Sequence, residues 1–394
     1  MASESLATGV SARRILGDVT GSHEGPTVIF LAGVHGNEPA ALEILEEIFP
    51  ELENRRPQLR GRVVAICGNL GALSMGVRFI DEDLNRMWTP ERVEAMLSTD
   101  HDAADASHEQ QEQRAIFDAL RPYLHTESGP VYLIDLHTTS AVSPPFIVMG
   151  DTLRNRKFAQ HFHTPIILGL EERLSGTLLH YGGHIGLICM AFEAGQHQSA
   201  VARSNHRAAV WTTLVAAGSF SEDQVREFEP AQAILRKAGE GIPQLFEFTY
   251  HHLIAKNETF AMEPGFINFE AVNKGALLAR NQDGPIRSPF DGYMFMPLYQ
   301  SKGNDGFFLI RRVRPFWLRI SEWLRRLSIG TLLPYLPGIS RHPQYATLLR
   351  VNRRIARGPV LEICHLLGYR QYKVEGNFLT IIKRPFDTRG PEQG

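Results

Sequence analysis

Apolar positions along the first 215 residues recur in two rhythms. Short runs at Thr27–Gly33 (TVIFLAG), Arg62–Cys67 (RVVAIC), Val131–Leu136 (VYLIDL), Phe146–Gly150, Pro165–Leu168 and Leu187–Phe192 (LICMAF) have the length and composition of buried strands. Between them, Glu38–Phe49 places Ala41, Ile44, Leu45 and Ile48 on one helical stripe, and Arg203–Ala217 reads as a second good helix. The polar stretch Ser98–Gln113 lacks any period and predicts a surface loop, entering a helix at about Gln110–Leu120. Strands spaced by helices predict an α/β layer fold with a largely parallel sheet.

The texture changes after about residue 220. Short strands bounded by Gly and Pro, at Glu247–His251, Gly265–Phe269, Ala276–Ala279, Gly292–Met296 and Gly306–Ile310, predict a smaller all-β domain. The remainder mixes a basic helical stretch with a hairpin-like end at Tyr369–Lys373 and Phe378–Lys383. The expected division is 1–220 (α/β), 240–314 (β-rich) and 315–394 (basic extension).

Composition narrows the function. The chain has 394 residues with a net charge of −2, and its 43% hydrophobic content excludes wholesale disorder. The near-neutrality is uneven. Residues 311–360 hold eleven Arg, no Lys and a single acid, Glu322. A nucleic-acid-binding chain is usually basic throughout, so no nucleic-acid partner is expected. Within the basic window Phe316, Ile320, Trp323, Leu324 and Leu327 share one helical face, and Arg319, Arg325 and Arg326 fall away from it. Such a helix fits an anionic membrane surface. The nearly cancelling charges favour instead packing on the chain's own body, against the acid-rich region 81–127. No secretory h-region and no membrane-spanning run is visible. Three distant cysteines, Cys67, Cys189 and Cys364, form no CxxC pair, so neither a disulfide framework nor a thiolate zinc knuckle is expected. A reducing cytoplasm is the default location.

Leu31–Ala40 (LAGVHGNEPA) carries the first chemistry. His35 and Glu38 follow the end of a buried strand at i and i+3, flanked by glycines that permit a sharp turn. An imidazole and a carboxylate so placed suit a zinc ion with N/O ligands. HxxE alone is a weak signal, matched by many solvated helix starts. It gains weight from His137, which ends the separate strand of LIDLHTTS and offers the third ligand. Asp135 shares a strand face with His137 and either orients it or simply closes the strand end. Glu193, at the end of LICMAF in AFEAGQH, is the candidate general base, because burial raises a carboxylate's pKa toward a useful value. Its alternative role is to bind backbone amides. Arg78, Asn85 and Arg86 in RFIDEDLNRMW are multidentate donors suited to a carboxylate or a developing oxyanion, or to salt bridges with Asp81, Glu82 and Asp83. His101, His108, His184 and His197 read as loop, pocket or structural histidines rather than ligands of a second metal.

GVHGNE, RFIDEDLNR, DLHTT and FEAGQH, in this order, resemble the succinylglutamate desuccinylase/aspartoacylase family over about residues 25–310. The resemblance implies a zinc carboxypeptidase-like mixed sheet flanked by helices, followed by a β cap domain. It implies one zinc ion per chain, held by His35, Glu38 and His137. Glu193 would activate the water and Arg78 would polarise the scissile carbonyl. Asn85 and Arg86 would hold a substrate carboxylate, with Tyr181 a further substrate contact. The implied activity is hydrolysis of the amide bond of a small N-acyl amino acid by zinc-activated water. The alternatives are a zinc carboxypeptidase acting on peptides, or a non-catalytic carrier in which 275–292 forms a hybrid barrel with Lys274 or Lys302 as the modified residue. The family's aspartoacylase branch bears a Tyr and an Arg shortly before the base. Here Leu178–Gly186 (LLHYGGHIG) contains Tyr181 but no Arg, which disfavours a dicarboxylic substrate unless His180 or His184 substitutes. Tyr299 is a remoter candidate from the β-rich region. Homo-oligomerisation stays open.

Overall fold

The computed structural model describes residues 13–98, 106–124, 129–170, 174, 176–197, 199–299, 303–342, 345, 348–356 and 360–391. His101, Arg173 and Lys302 lie outside them. The first half contributes strands β1 (Ile15–Thr20), β2 (His23–Ala32), β3 (Arg60–Cys67), β4 (Val131–Thr139), β5 (Phe146–Met149), β6 (Ile166–Leu168) and β7 (Ile188–Gln196). The second contributes β8 (Leu245–Leu253), β9 (Ala261–Met262), β10 (Ala271–Val272), β11 (Leu277–Asn281), β12 (Gly284–Arg287), β13 (Gly292–Phe295) and β14 (Asp305–Arg312). The chain then adds β15 (Ile339–Arg341), β16 (Leu348–Asn352), β17 (Tyr369–Glu375) and β18 (Phe378–Lys383).

Among the described residues eleven strands make one sheet, in the order β1-β3-β2-β4-β7-β5-β6-β8-β14-β13-β10. Its centre, β3-β2-β4-β7, is parallel, whereas β5 runs against β7 and β14 against β8. The sheet is therefore mixed, as the family resemblance implies, and not largely parallel as the strand–helix alternation alone predicts. Period-two alternation divides the strands between two apolar layers. Val28, Phe30 and Ala32 of β2 enter one core with the helix Ala40–Asn54, while Ile29 and Leu31 enter the other. On β4 Tyr132, Ile134 and Leu136 face the first core and Leu133 faces the second. Both faces are covered, so β4 is buried along its whole length.

The β-rich region is not detached from this sheet. β8, β14, β13 and β10 extend it, and only β12-β11-β9 forms a separate small sheet. The short, Gly-bounded strands resembled an independent domain because local pattern carries no information about which edge a strand joins. The carrier hairpin expected at 275–292 is β11–β12, and its turn is Gln282–Asp283, with no lysine. Lys274 lies before β11, its backbone N–H bonded to Asp291. The tail expected to be helical and basic opens with the helix Pro315–Arg326 and ends in the expected hairpin, β17–β18, but it is not helical throughout. β15 and β16 join that hairpin in a four-stranded antiparallel sheet, β15-β16-β18-β17, with its own small core of Leu349, Val351, Leu379 and Ile381.

Candidate active site

The parallel strands β2, β4 and β7 are neighbours, and their carboxyl ends open on one crevice. Beyond β2 the chain turns at Gly33, whose φ of +72° favours glycine. Gly36 packs so closely on the backbone of Ala72 that a Cβ would lie 2.1 Å from its carbonyl carbon. These two contacts bring His35 and Glu38 inward. On β4, Asp135 and His137 continue the face of Leu133. On β7, Glu193 continues the face of Cys189 and Ala191 and pairs in register with His137. Alternation thus delivers the three polar groups to the end of an otherwise apolar face.

The ligand atoms of His35, Glu38 and His137 all lie within 4.8 Å of one another, and all three residues are buried. Both imidazoles turn Nδ1 toward the Glu38 carboxylate, at 2.9 Å for His35 and 3.2 Å for His137. Each Nε2 is backed by an aspartate: Asp83 at 3.2 Å from His35, Asp135 at 2.8 Å from His137. The Thr138 backbone N–H donates to Glu38 at 2.8 Å. This is the arrangement in which outer carboxylates fix tautomer and ring orientation for two metal-binding nitrogens.

The electrostatics agree with a cation site. Four carboxylates, Glu38, Asp83, Asp135 and Glu193, surround the two imidazoles, with Arg78 as the adjoining guanidinium. Burial opposes ionisation of Glu38, but His35 and His137 hold its pKa well below the ordinary value. Burial likewise opposes a charge on His137, yet Asp135 and Glu38 keep its pKa well above normal. Glu193 lacks such partners. Burial, reinforced by Glu38 and Asp135 against His137 and Arg78, pushes it up to about 8, and its Oε2 has no hydrogen-bond partner. The buried excess of negative charge is costly unless a cation balances it, so the donor set fits a divalent metal.

A cleft of about 550 Å³ lies over this cluster, lined by Arg78, Asp83, Arg86, Thr138 and His197 on one side. Leu253, Met296, Leu298, Asp305 and Phe308 of the β-rich region line the other. Arg78 donates to Asp83 at 3.0 Å and reaches within 3.9 Å of Glu38. Asn85 accepts from the Leu178 N–H at 3.1 Å. Arg86 donates to Asp305 at 2.8 Å, and Asp305 also meets His251 at 2.9 Å. Tyr181 lies apart from the cleft lining, its ring packed 6.4 Å from Trp88 and 6.3 Å from Phe117. Tyr299 is tied to the β-rich region by hydrogen bonds to Glu263 and Phe266. His180 does not supply a cation, because burial and Arg370 push its pKa down to about 4. His197 donates or accepts at Thr138 Oγ1, 2.8 Å away, and belongs to no metal-ligating group among the described residues.

Two contributors were not apparent in the sequence. Asp83 was readable only as a salt-bridge partner of nearby arginines, although it also braces His35. Glu109 sits on the helix His108–Leu120, two residues earlier than expected, and its carboxylate accepts the N–H groups of Ile80, Asp81 and Glu82. That grip, with Asn69, outweighs burial, lowers its pKa and fixes the Arg78–Asp83 loop over the site. His108 hydrogen-bonds Asn69.

Residues 24–217 match the model of the succinylglutamate desuccinylase/aspartoacylase catalytic domain. Through this domain the chain belongs to that family. Among its relatives, the succinylglutamate desuccinylase of Burkholderia lata is 25% identical over 291 residues, covering 66% of this chain and 71% of that protein. The corresponding protein of Burkholderia cenocepacia is 27% identical, covering 66% and 73%. In fold the chain is similar to the succinylglutamate desuccinylase/aspartoacylase of Rhodobacter sphaeroides, with a TM-score of 0.55 at 16% identity over 75% of this chain and 88% of that one. The succinylglutamate desuccinylase of Vibrio parahaemolyticus gives 0.53 at 15% over 79% and 91%. Membership of the succinylglutamate desuccinylase/aspartoacylase family implies a deacylase that hydrolyses the amide bond of N-acyl amino acids.

Proposed function

We propose that this protein hydrolyses a small, carboxylate-bearing N-acyl amino acid with one zinc ion held by His35, Glu38 and His137. The observation that carries the reading is the buried His₂Glu donor set beside a partnerless Glu193. Zinc bound there supplies Lewis acidity, lowering the pKa of water and polarising the scissile carbonyl.

The chain's own groups do the rest. Glu193 Oε2 accepts a proton from the attacking water and returns it to the amide nitrogen, which leaves as the free amine while the acyl group leaves as a carboxylate. Burial raises its pKa above that of an ordinary carboxylate, which suits a group that takes up a proton and then returns it. Arg78 donates to the oxygen that gains charge as the carbonyl becomes tetrahedral. Asp83, Asp135 and the Thr138 N–H hold the three ligands in place. Asn85 and Arg86 are the substrate-carboxylate subsite, and Arg86 must release Asp305 to serve it. The β-rich wall acts as the cap that restricts water. Tyr181 would contribute through the packing of the helix Leu178–His184 rather than from the cleft wall. No helix among the described residues is long and apolar enough to cross a membrane. The three buried free thiols suit a reducing compartment such as the cytoplasm.

Metal analysis and a panel of N-acyl amino acids, with peptides as a comparison arm, test the reading. Stoichiometric zinc and amide hydrolysis by the wild type are expected. Glu193→Gln should retain the zinc and lose hydrolysis; turnover undiminished in that variant would remove Glu193 from its role.

A further inference from the structure

The helix Pro315–Arg326 buries Ser321 and Arg325, with Leu318 and Leu324 half-buried against the neighbouring cores, so of the apolar face named above Leu324 turns inward and the rest does not. Ser321 is fully buried and Arg325 is 5% exposed, whereas Phe316 is 63%, Trp323 61% and Leu327 55% exposed. Phe316, Ile320, Trp323 and Leu327 recur at i, i+4, i+7 and i+11 and so make one stripe. The packing expected against the region 81–127 is therefore not the one adopted. The helix is anchored by Ser321 and Arg325 on the carbonyls of Leu366, His365 and Asp151 and on the carboxylates of Asp151 and Asp387. Once Arg325 is committed to those acids, the opposite, apolar side must face outward. Trp317 is also 46% exposed, and the short turn Ile329–Tyr335 packed beside the helix adds exposed Leu332 and Tyr335.

The charges beside this stripe are mostly positive. Arg319 and Arg326 border it and Arg314 precedes it. The window's acid, Glu322, is paired with Arg326 at 2.7 Å. Arg319 has no ion-pair partner among the described residues. The geometry points to this face as a docking surface for an anionic lipid bilayer, the helix lying in the membrane plane. Aromatic and aliphatic side chains would enter the headgroup boundary, where Trp and Tyr are favoured, and the arginines would meet lipid phosphates. A second copy of the chain fits less well, because a twofold contact would set Arg319 and Arg326 against their own copies.

Sedimentation of the full chain with phosphatidylcholine vesicles, with and without phosphatidylglycerol, tests the proposal. Expected are pelleting that depends on phosphatidylglycerol and weakens with salt, and a blue shift of tryptophan emission on binding. The variant Phe316→Ser/Trp323→Ser/Leu327→Ser, in which exposed positions alone change, should melt like the wild type and bind at least about tenfold more weakly. Arg319→Gln/Arg326→Gln should lose the phosphatidylglycerol preference. No pelleting with anionic vesicles overturns the proposal, as does unchanged binding by the triple variant. A wild-type dimer that the triple variant turns into a monomer, without lipid binding, overturns it in favour of a second copy.

Discussion

Two clusters of buried charge hold this molecule's two ends, and they are built on opposite terms. At the C-terminal junction Asp151 receives Arg156 and Arg325, with Arg384 3.7 Å away, and Asp387 shares Arg325 and the Leu153 N–H. Burial opposes the charge on Asp151, yet those guanidinium groups drive its pKa far below normal. Both acids there are answered by a protein cation. In the crevice at the ends of β2, β4 and β7 the carboxylates outnumber the guanidinium groups and a carboxylate oxygen, Glu193 Oε2, has no partner, whereas at the junction the unmet atom is a donor, Arg156 Nη1, and both acids are paired. A charge cluster closed on itself is glue. One left open toward a cavity is a place for a ligand, because leaving buried polar atoms unmet costs about 1–3 kcal/mol each.

The contrast can be broken at its strongest point. Glu193→Gln removes the proposed base without changing side-chain volume, and should lower hydrolysis about 10²–10⁴-fold while the thermal midpoint stays near that of the wild type. A large loss of stability instead would make Glu193 structural. The converse is Arg325→Met, which takes the guanidinium from Asp387 and leaves Asp151 with Arg156 but one cation fewer. It should cost about 3–5 kcal/mol in denaturant unfolding and leave the zinc content unchanged. If metal binding at His35, Glu38 and His137 failed with it, the two clusters would not be independent.

Asp83→Asn probes the brace behind His35. It should weaken metal binding about 10–100-fold in a chelator competition, with the fold intact. The least effect is expected where charge is neither open nor deeply buried. Burial works against Glu227, but Arg55 lowers its pKa to about 2, and the Glu227 side chain stays 22% exposed. A carboxylate depressed in the folded state stabilises above its unfolded pKa, and that contribution fades as pH falls from the ordinary 4.5 toward 2. Solvent screening keeps it to about 1 kcal/mol. Unfolding of Glu227→Gln from neutral pH to pH 2 should show the difference from wild type shrinking across that window.

Much of the site was legible because it is written locally. HGNE after a buried strand, DLH at the end of another and FEAGQH after a third each combine an apolar run with a polar terminus, and the structure seats all three on adjacent strands. Residues that act across long separations were not legible. Asp305 reaches Arg86 from 219 positions away, and nothing in the short strands around it distinguishes it from a surface acid. Glu109, from a stretch read mostly as loop, grips backbone amides rather than any side chain a motif would include. Asp135 was readable as a possible brace for a ligand histidine. Asp83, which does the same for the other, was hidden among its neighbours Asp81 and Glu82.

The sequence by itself determined the alternation of strands and helices, the three donors suited to a metal, and the amphipathic character of 315–326. Those follow from period and side-chain chemistry, which need no partner. Only the tertiary structure decided that the β-rich strands extend the central sheet, that Arg86 meets Asp305, and that the basic helix turns its apolar stripe to solvent. Each depends on which distant group competes for the same side chain. For Arg325, two buried aspartates won that competition over the apolar face of its own helix.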